Sequence, residues 1–435
     1  MTISSSLNAG VAGLAANATR LATISDNIAN SATQGYKRVE TEFSAMVTGA
    51  NSGTYTAGGV RTTTNRLVSE HGALVTTNNA TDLAVRGTGF LPVAQATEVL
   101  AGNGNPQMYM TTTASFRIDA EGYLRTESGL MLMGWEANAD GSIPNYARDT
   151  SASLEPVQIA LNQYLSEPTT AITMGVNLPA TETTAGASGD PLELPIEYFD
   201  NLGRSETLNV TFTPTVPGTG SSNEWTISIA DSASGGAVIG DYTITFDNTP
   251  SAGGTIATVS APLTAGGAYD PVTGSVIVNA AGGPIELTIG QLFSNGGLTQ
   301  RSDSFAPLNI AKDGSPAGNM TSVEVDEAGL VYAFFDTGIT SVIFQIPLVD
   351  VPNPNGMIAL NNQVFQPSAE SGSFFLWDAG DGPTGEIVPY AREESTTDVA
   401  AELTDMIQTQ RAYSSNAKVI QTVDEMLQET TNIKR

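Results

Sequence analysis

Two stripes of apolar residues repeat every seven positions, one at each end of the chain, and they constrain the fold more than anything between them. Near the N-terminus Leu7, Leu14, Leu21 and Ile28 recur at that interval, flanked by Val11 and Ile24. Near the C-terminus Val399, Met406, Tyr413, Ile420 and Leu427 do the same, with Leu403 and Ala417 at intermediate core offsets. A period of 3.5 marks a helix packed lengthwise on another helix. One such stripe is what an ordinary amphipathic helix on a globular domain shows; two, at opposite ends of 435 residues, read as partners. The first helix is weak alone, because Gly10 and Gly13 each cost about 1 kcal/mol relative to Ala. It needs packing to persist in water. Its stop is supplied by Asn27 to Gly35, and Ser395 to Asp398 reads as a capping start for the second helix, near 397–432. Lys434 and Arg435 stand where cations favour the negative end of that helix.

Between the stripes the pattern changes to short β-branched and aromatic runs separated by turn signals. Phe116-Arg117-Ile118, Trp225 to Ile229, Tyr242 to Phe246 and Ser275 to Val278 read as strands; Glu121-Gly122, Asn295-Gly296 and Asp313-Gly314 read as turns. Repeated short strands with Gly-rich turns indicate antiparallel sandwiches or barrels. The expected class is therefore α+β, with the two terminal helices paired as a coiled-coil-like inner domain and antiparallel β-rich domains inserted between them. Residues 149–300 hold 15 acids and a single base, Arg204, a density that favours a solvated, outward-facing domain. The expected division is 1–70 with 391–435 as the helical inner domain, 71–145 with 286–390 as a β-rich wall domain, and 146–285 as an inserted acidic β-rich outer domain.

Charge and residue usage exclude several functions. With 17 Lys plus Arg against 45 Asp plus Glu, the net charge of −28 disfavours nucleic acid and anionic membrane surfaces, both of which are bound through cations. No apolar run approaches the roughly 20 residues that span a bilayer, so membrane insertion is not expected. Cys is absent, which removes disulfides, thiolate catalysis and Cys-containing metal sites. His71 is the single histidine; beside Gly72 it reads as a loop or strand-edge residue and not as a catalytic base. Gly87-Thr88-Gly89-Phe90 lacks the third Gly of a dinucleotide fingerprint, and the Asp378-Ala379-Gly380-Asp381-Gly382 run is explained by turn formation. No enzyme activity and no cofactor is expected. The N-terminus lacks the basic and continuously apolar regions of a standard secretory signal.

Specific words at both ends carry a resemblance. Gly13-Leu14-Ala15-Ala16 and then Leu21 through Asp26-Asn27-Ile28-Ala29-Asn30, Thr33, Gly35-Tyr36-Lys37-Arg38 closely resemble the N-terminal signature of the flagellar rod and hook axial proteins, with Asp26 where Asn is usual. Asp82-Leu83-Ala84-Val85-Arg86-Gly87-Thr88-Gly89-Phe90 resembles the family's next shared element. Glu402-Leu403-Thr404-Asp405-Met406-Ile407, Gln410-Arg411-Ala412-Tyr413, Asn416 to Ile420 and Asp424 to Leu427 resemble its C-terminal signature. Three motifs in the correct order cover about a third of the chain. The length, the central β insertion and Ser315 to Ser322 are similar to the hook branch, while Ala391 to Thr396 departs from the family's usual Leu-Glu-x-Ser-Asn.

The resemblance implies a structural subunit of the bacterial flagellar hook, polymerising into a curved helical tube that acts as a universal joint between motor and filament. It implies homopolymer contacts, rod, hook-cap and hook–filament junction proteins as neighbours, and passage through the flagellar type III export apparatus to an extracellular location without a cleaved signal peptide. The residues expected to carry subunit assembly are Leu7, Leu14, Leu21, Ile24, Asn27, Ile28 and Asn30 at one end, and Val399, Leu403, Met406, Gln410, Arg411, Tyr413, Ile420 and Leu427 at the other. The alternatives are another axial protein, of the distal rod or the hook–filament junction, or a secreted β-rich adhesin or surface-layer protein. The last explains the composition but not the paired terminal motifs.

Overall fold

A computed structural model describes residues 3–47, 57–102, 106–138, 140–160 and 164–433. Lys434 and Arg435, expected to favour the C-terminal end of the last helix, lie outside the described residues. The chain divides into two compact units: one of Met1–Leu161, Ser322–Phe334 and Thr340–Arg435, the other of Asn162–Thr321 and Phe335–Ile339.

In the first unit the N-terminal helix runs Ile3–Ala29 and the C-terminal helix Val399–Ile433. The first ends at Ala29, and the turn that follows it closes at Gly35, whose φ of 70° is a left-handed conformation that favours Gly. The second begins at Asp398, whose carboxylate accepts the free amides of Ala400 and Ala401 at 2.8 and 3.2 Å. A hairpin of Val39–Ala45 and Val60–Arg66 follows the first helix, in register from Val39↔Arg66 to Ala45↔Val60. The body of the unit is β. Leu91–Gln95 lies between Met108–Thr111 and Leu130–Glu136, all antiparallel. These strands are continuous apolar runs, buried on both faces, and Phe90, Met110, Met133, Trp135, Val349 and Phe365 form their core. The Gly122 turn beside them has no room for a side chain: its φ is 91° and a Cβ would stand 2.2 Å from the Ile159 carbonyl. Asp82–Arg86 sits between Glu386–Pro389 and Thr113–Ser115, and Leu74–Thr76 pairs with Ala391–Glu393, so sequence-distant segments close the body.

The second unit packs two sheets on one core. Five strands, Leu192–Phe199, Ser205–Pro214, Glu224–Asp231, Ala237–Phe246 and Ile256–Val259, follow each other antiparallel in chain order. Their alternation is clean: along Glu224–Asp231 the residues Trp225, Ile227 and Ile229 point inward and their neighbours do not. The other sheet is built around Ala171–Leu178. That strand pairs antiparallel with Ala306–Lys312 but parallel with Gly283–Thr288 and Thr299–Gln300, a departure from the wholly antiparallel expectation. The expected inserted segment ends at 285. Residue 285 falls inside Gly283–Thr288, and the unit continues to Thr321 because backbone pairing with Ala171–Leu178 carries it on.

Candidate assembly site at the chain termini

The two terminal helices run antiparallel against each other. A Cβ at Gly10 would come 3.2 Å from Ile420, and one at Gly13 2.9 Å from Asn416. Further along, Arg20 pairs with Asp405 at 3.3 Å, and the Asn27 amide donates to Glu402 at 2.9 Å. The glycines that weaken the helix in isolation are therefore where the partner comes closest. On the C-terminal helix Glu402, Thr409 and Val423 are buried, and Asn416 is half-buried. These four recur every seven residues, one position before the expected Leu403 and Ala417, which are exposed. The second seam is mostly polar and small, so a search for apolar periodicity passes over it.

The expected assembly residues divide by position. Ile24 and Asn27 are buried within the chain, at 3% and 1% exposure. Leu7, Leu14, Leu21, Ile28, Asn30, Met406 and Ile420 are half-buried; Val399, Leu403, Gln410, Arg411, Tyr413 and Leu427 are exposed. Leu21, Ala18, Ala22 and Ser25 of one helix and Gln410, Tyr413 and Ser414 of the other line an apolar groove of about 610 Å³. Within one chain both seven-residue stripes thus keep apolar surface in water.

At the base of the helices the signature residues form one hydrogen-bonded clasp. Asn27 donates to the Val39 carbonyl and to Glu402, both at 2.9 Å, and its carbonyl accepts the Val39 amide at 2.9 Å and the Tyr36 hydroxyl at 3.1 Å. Tyr36 also donates to Asp26 at 3.0 Å; burial, and then Asp26, push its hydroxyl up to about 12. Asn30 donates to the Asp26 carbonyl and accepts from Thr33. Burial holds the Glu402 carboxyl above its ordinary range, against the Asn27 amide and the Arg38 charge, which favour ionisation.

One layer deeper, Lys37 and Glu393 form a fully buried ion pair at 2.7 Å. Lys37 also donates to the Glu70 carbonyl at 2.6 Å, and Glu393 accepts the Gly72 amide at 2.7 Å and the Thr112 hydroxyl. Burial lowers the lysine while Glu393 opposes it. His71 lies at the rim of this pair, 3.9 Å from Glu393, and burial followed by the Lys37 charge holds its imidazole below the ordinary value. A buried pair this fully hydrogen-bonded fixes geometry more than it adds stability. Sequence reasoning missed it. In the sequence Lys37 stands only as one letter of the N-terminal motif, and Glu393 falls in the stretch that departs from the family.

The clasp joins residues 26–39 to residues 393–402, and it is these two ends that known families recognise. Residues 7–37 match the flagella basal body rod protein family, and residues 390–433 match the C-terminal family of the flagellar basal body rod FlgEFG proteins. The chain is thus of the flagellar axial class. It is 34% identical over 442 residues to the flagellar hook protein FlgE of Brucella suis and 33% identical over 439 residues to that of Rhizobium meliloti, with 100% of both partners covered in each case. The protein belongs to the flagellar hook protein FlgE family, the structural subunits of the hook. A crystal structure of Helicobacter pylori flagellar hook protein FlgE2 aligns over 74% of this chain and 99% of that one, at 14% identity and a TM-score of 0.44. Among the described residues no helix is long and apolar enough to cross a membrane.

Proposed function

We propose that the paired termini are the polymerisation element of this hook subunit, and that copies assemble through them into a curved helical tube working as a universal joint. One observation carries this reading: after the helices have packed on each other, Leu7, Leu14, Leu21 and Ile28 are still half-exposed, and Tyr413 and Leu427 are exposed. A stripe of that length is covered when a further helix lies in it, so the helix pair extends into coiled-coil-like packing between copies. A contact of this kind uses different surfaces on the two copies, and when it does not close a ring it generates an open helical array. In this scheme the two terminal helices line the tube, the β body of the first unit forms its wall, and the second unit, residues 162–321, lies outside. Torque passes along the tube from the rod to the junction and filament, with the hook cap at the growing end. The subunit leaves the cell through the flagellar type III export apparatus. Electron microscopy of concentrated protein tests the reading: curved tubes are expected, and sheets or monomers at every concentration would refute it.

A further inference from the structure

Beside the clasp the first unit opens a groove of about 750 Å³, and in a chain with few cations it gathers three: Arg117, Arg125 and Arg392. Arg117 and Arg125 are register partners on the antiparallel strands Arg117–Ile118 and Leu124–Arg125. Like charges directly opposed in this way destabilise the pair. The arginine ion pairs among the described residues belong to Arg20, Arg38, Arg86, Arg148, Arg204 and Arg392; Arg117 and Arg125 have no carboxylate of a described residue within 4.0 Å. Asp119 and Glu127 also line the groove; Asp119 accepts the amides of Glu121 and Tyr123 in its own turn, and among the described residues neither carboxylate is within 4.0 Å of an arginine nitrogen. A second observation falls in the same groove. Asn362 and Gln363, also in its lining, take consecutive left-handed conformations at φ 65° and 55°. Strain of this kind in residues other than Gly clusters at ligand clamps and switch regions.

We propose that this groove is a carboxylate-binding site, occupied in the polymer by an acidic stretch of residues 162–321 of a second copy of the chain. A guanidinium pair matches carboxylates in charge and in forked geometry. The volume exceeds what a single ion fills and suits several side chains. Residues 162–321 carry 15 acids against three bases, so each copy brings the complementary charge. The inference rests on polymerisation of the chain, and the test separates the two. Arg117→Glu turns an opposed like-charge pair into an opposite-charge pair, so monomer melting temperature should hold or rise. The same change should raise the critical concentration for assembly roughly tenfold at low salt. That gap to wild type should close toward ~1 M salt, where the screening length is about 3 Å. A polyglutamate peptide should inhibit wild-type assembly more than that of Arg117→Glu. Equal assembly of the two proteins at every salt concentration would overturn the site, as would a variant whose monomer melts earlier. Equal inhibition by inorganic phosphate at matched ionic strength would reduce the site to a simple ion site and overturn the peptide occupant. A wild-type chain that forms no polymer removes the tube reading itself, and this inference with it.

Discussion

Asn27 makes four hydrogen bonds where water does not reach, to Val39 twice, to Tyr36 and to Glu402. Truncation leaves several of those partners buried and unsatisfied, each costing about 1–3 kcal/mol. Asn27→Ala should therefore destabilise the monomer by about 3 kcal/mol, read by thermal or urea unfolding, whereas Asn30→Ala, half-exposed at the same helix end, should cost about 1 kcal/mol. Glu402 gives a pH-dependent counterpart. Its carboxyl titrates above the ordinary range when folded, because burial disfavours the charge. A group with a raised folded pKa contributes its stability fully below the unfolded pKa and loses it as pH rises through the folded one. Glu402→Gln keeps a hydrogen-bonding side chain and removes the titration. The wild type should therefore be more favoured over the variant near about pH 4 than near about pH 7. A difference between the two proteins that grows with pH would sink the assignment.

At the level of elements, the helix pair shows what periodicity can and cannot disclose. The seven-residue stripes, the stop near Gly35 and the cap at Asp398 are legible because apolar spacing and capping chemistry are local. The seam that joins the helices is legible only in part: Ile24, Asn27 and Ile420 belong to the expected set, whereas Gly10, Gly13, Glu402 and Thr409 are small or polar and carry no apolar periodicity. In the second unit the inward set Trp225, Ile227 and Ile229 follows directly from alternation, while the parallel pairing of Ala171 with Glu286 depends on contacts more than a hundred residues apart. The distinction yields a test. Leu21 lies in the open groove with Tyr413, so Leu21→Asp should cost the monomer less than about 1.5 kcal/mol and abolish polymer, where the groove would be closed over an unpaired carboxylate. Gly10→Leu, set against Ile420 at 3.2 Å, should instead separate the two helices in the monomer and reduce helical circular dichroism. Monomers of the two variants that melt alike would remove the difference between seam and groove.

For the whole molecule the question is how a polymer tolerates subunits of charge −28. Residues 168–314 hold 14 acids and three bases, so a large share of that charge lies in the insertion. The topology shows where it can be removed. Tyr164–Glu167 and Ser315–Val325 are paired antiparallel, with Glu167 opposite Ser315, so the two cut ends are already partners in one ladder. Replacing 168–314 by Asn-Gly supplies the two-residue turn that such a pair accepts. If the insertion lies outside the tube, this variant should fold, be exported and still form tubes. Their curvature should change with the loss of contacts between outer units, as seen by electron microscopy. The deletion also removes the proposed occupant of the arginine groove. Arg117→Glu, costly in the full chain, should then have little further effect, a non-additivity that a double-mutant cycle on critical concentration measures. A deletion variant that is folded and exported yet never polymerises would refute the outer placement. An undiminished Arg117→Glu effect in tubes of the deleted chain would overturn residues 162–321 as the groove's occupant.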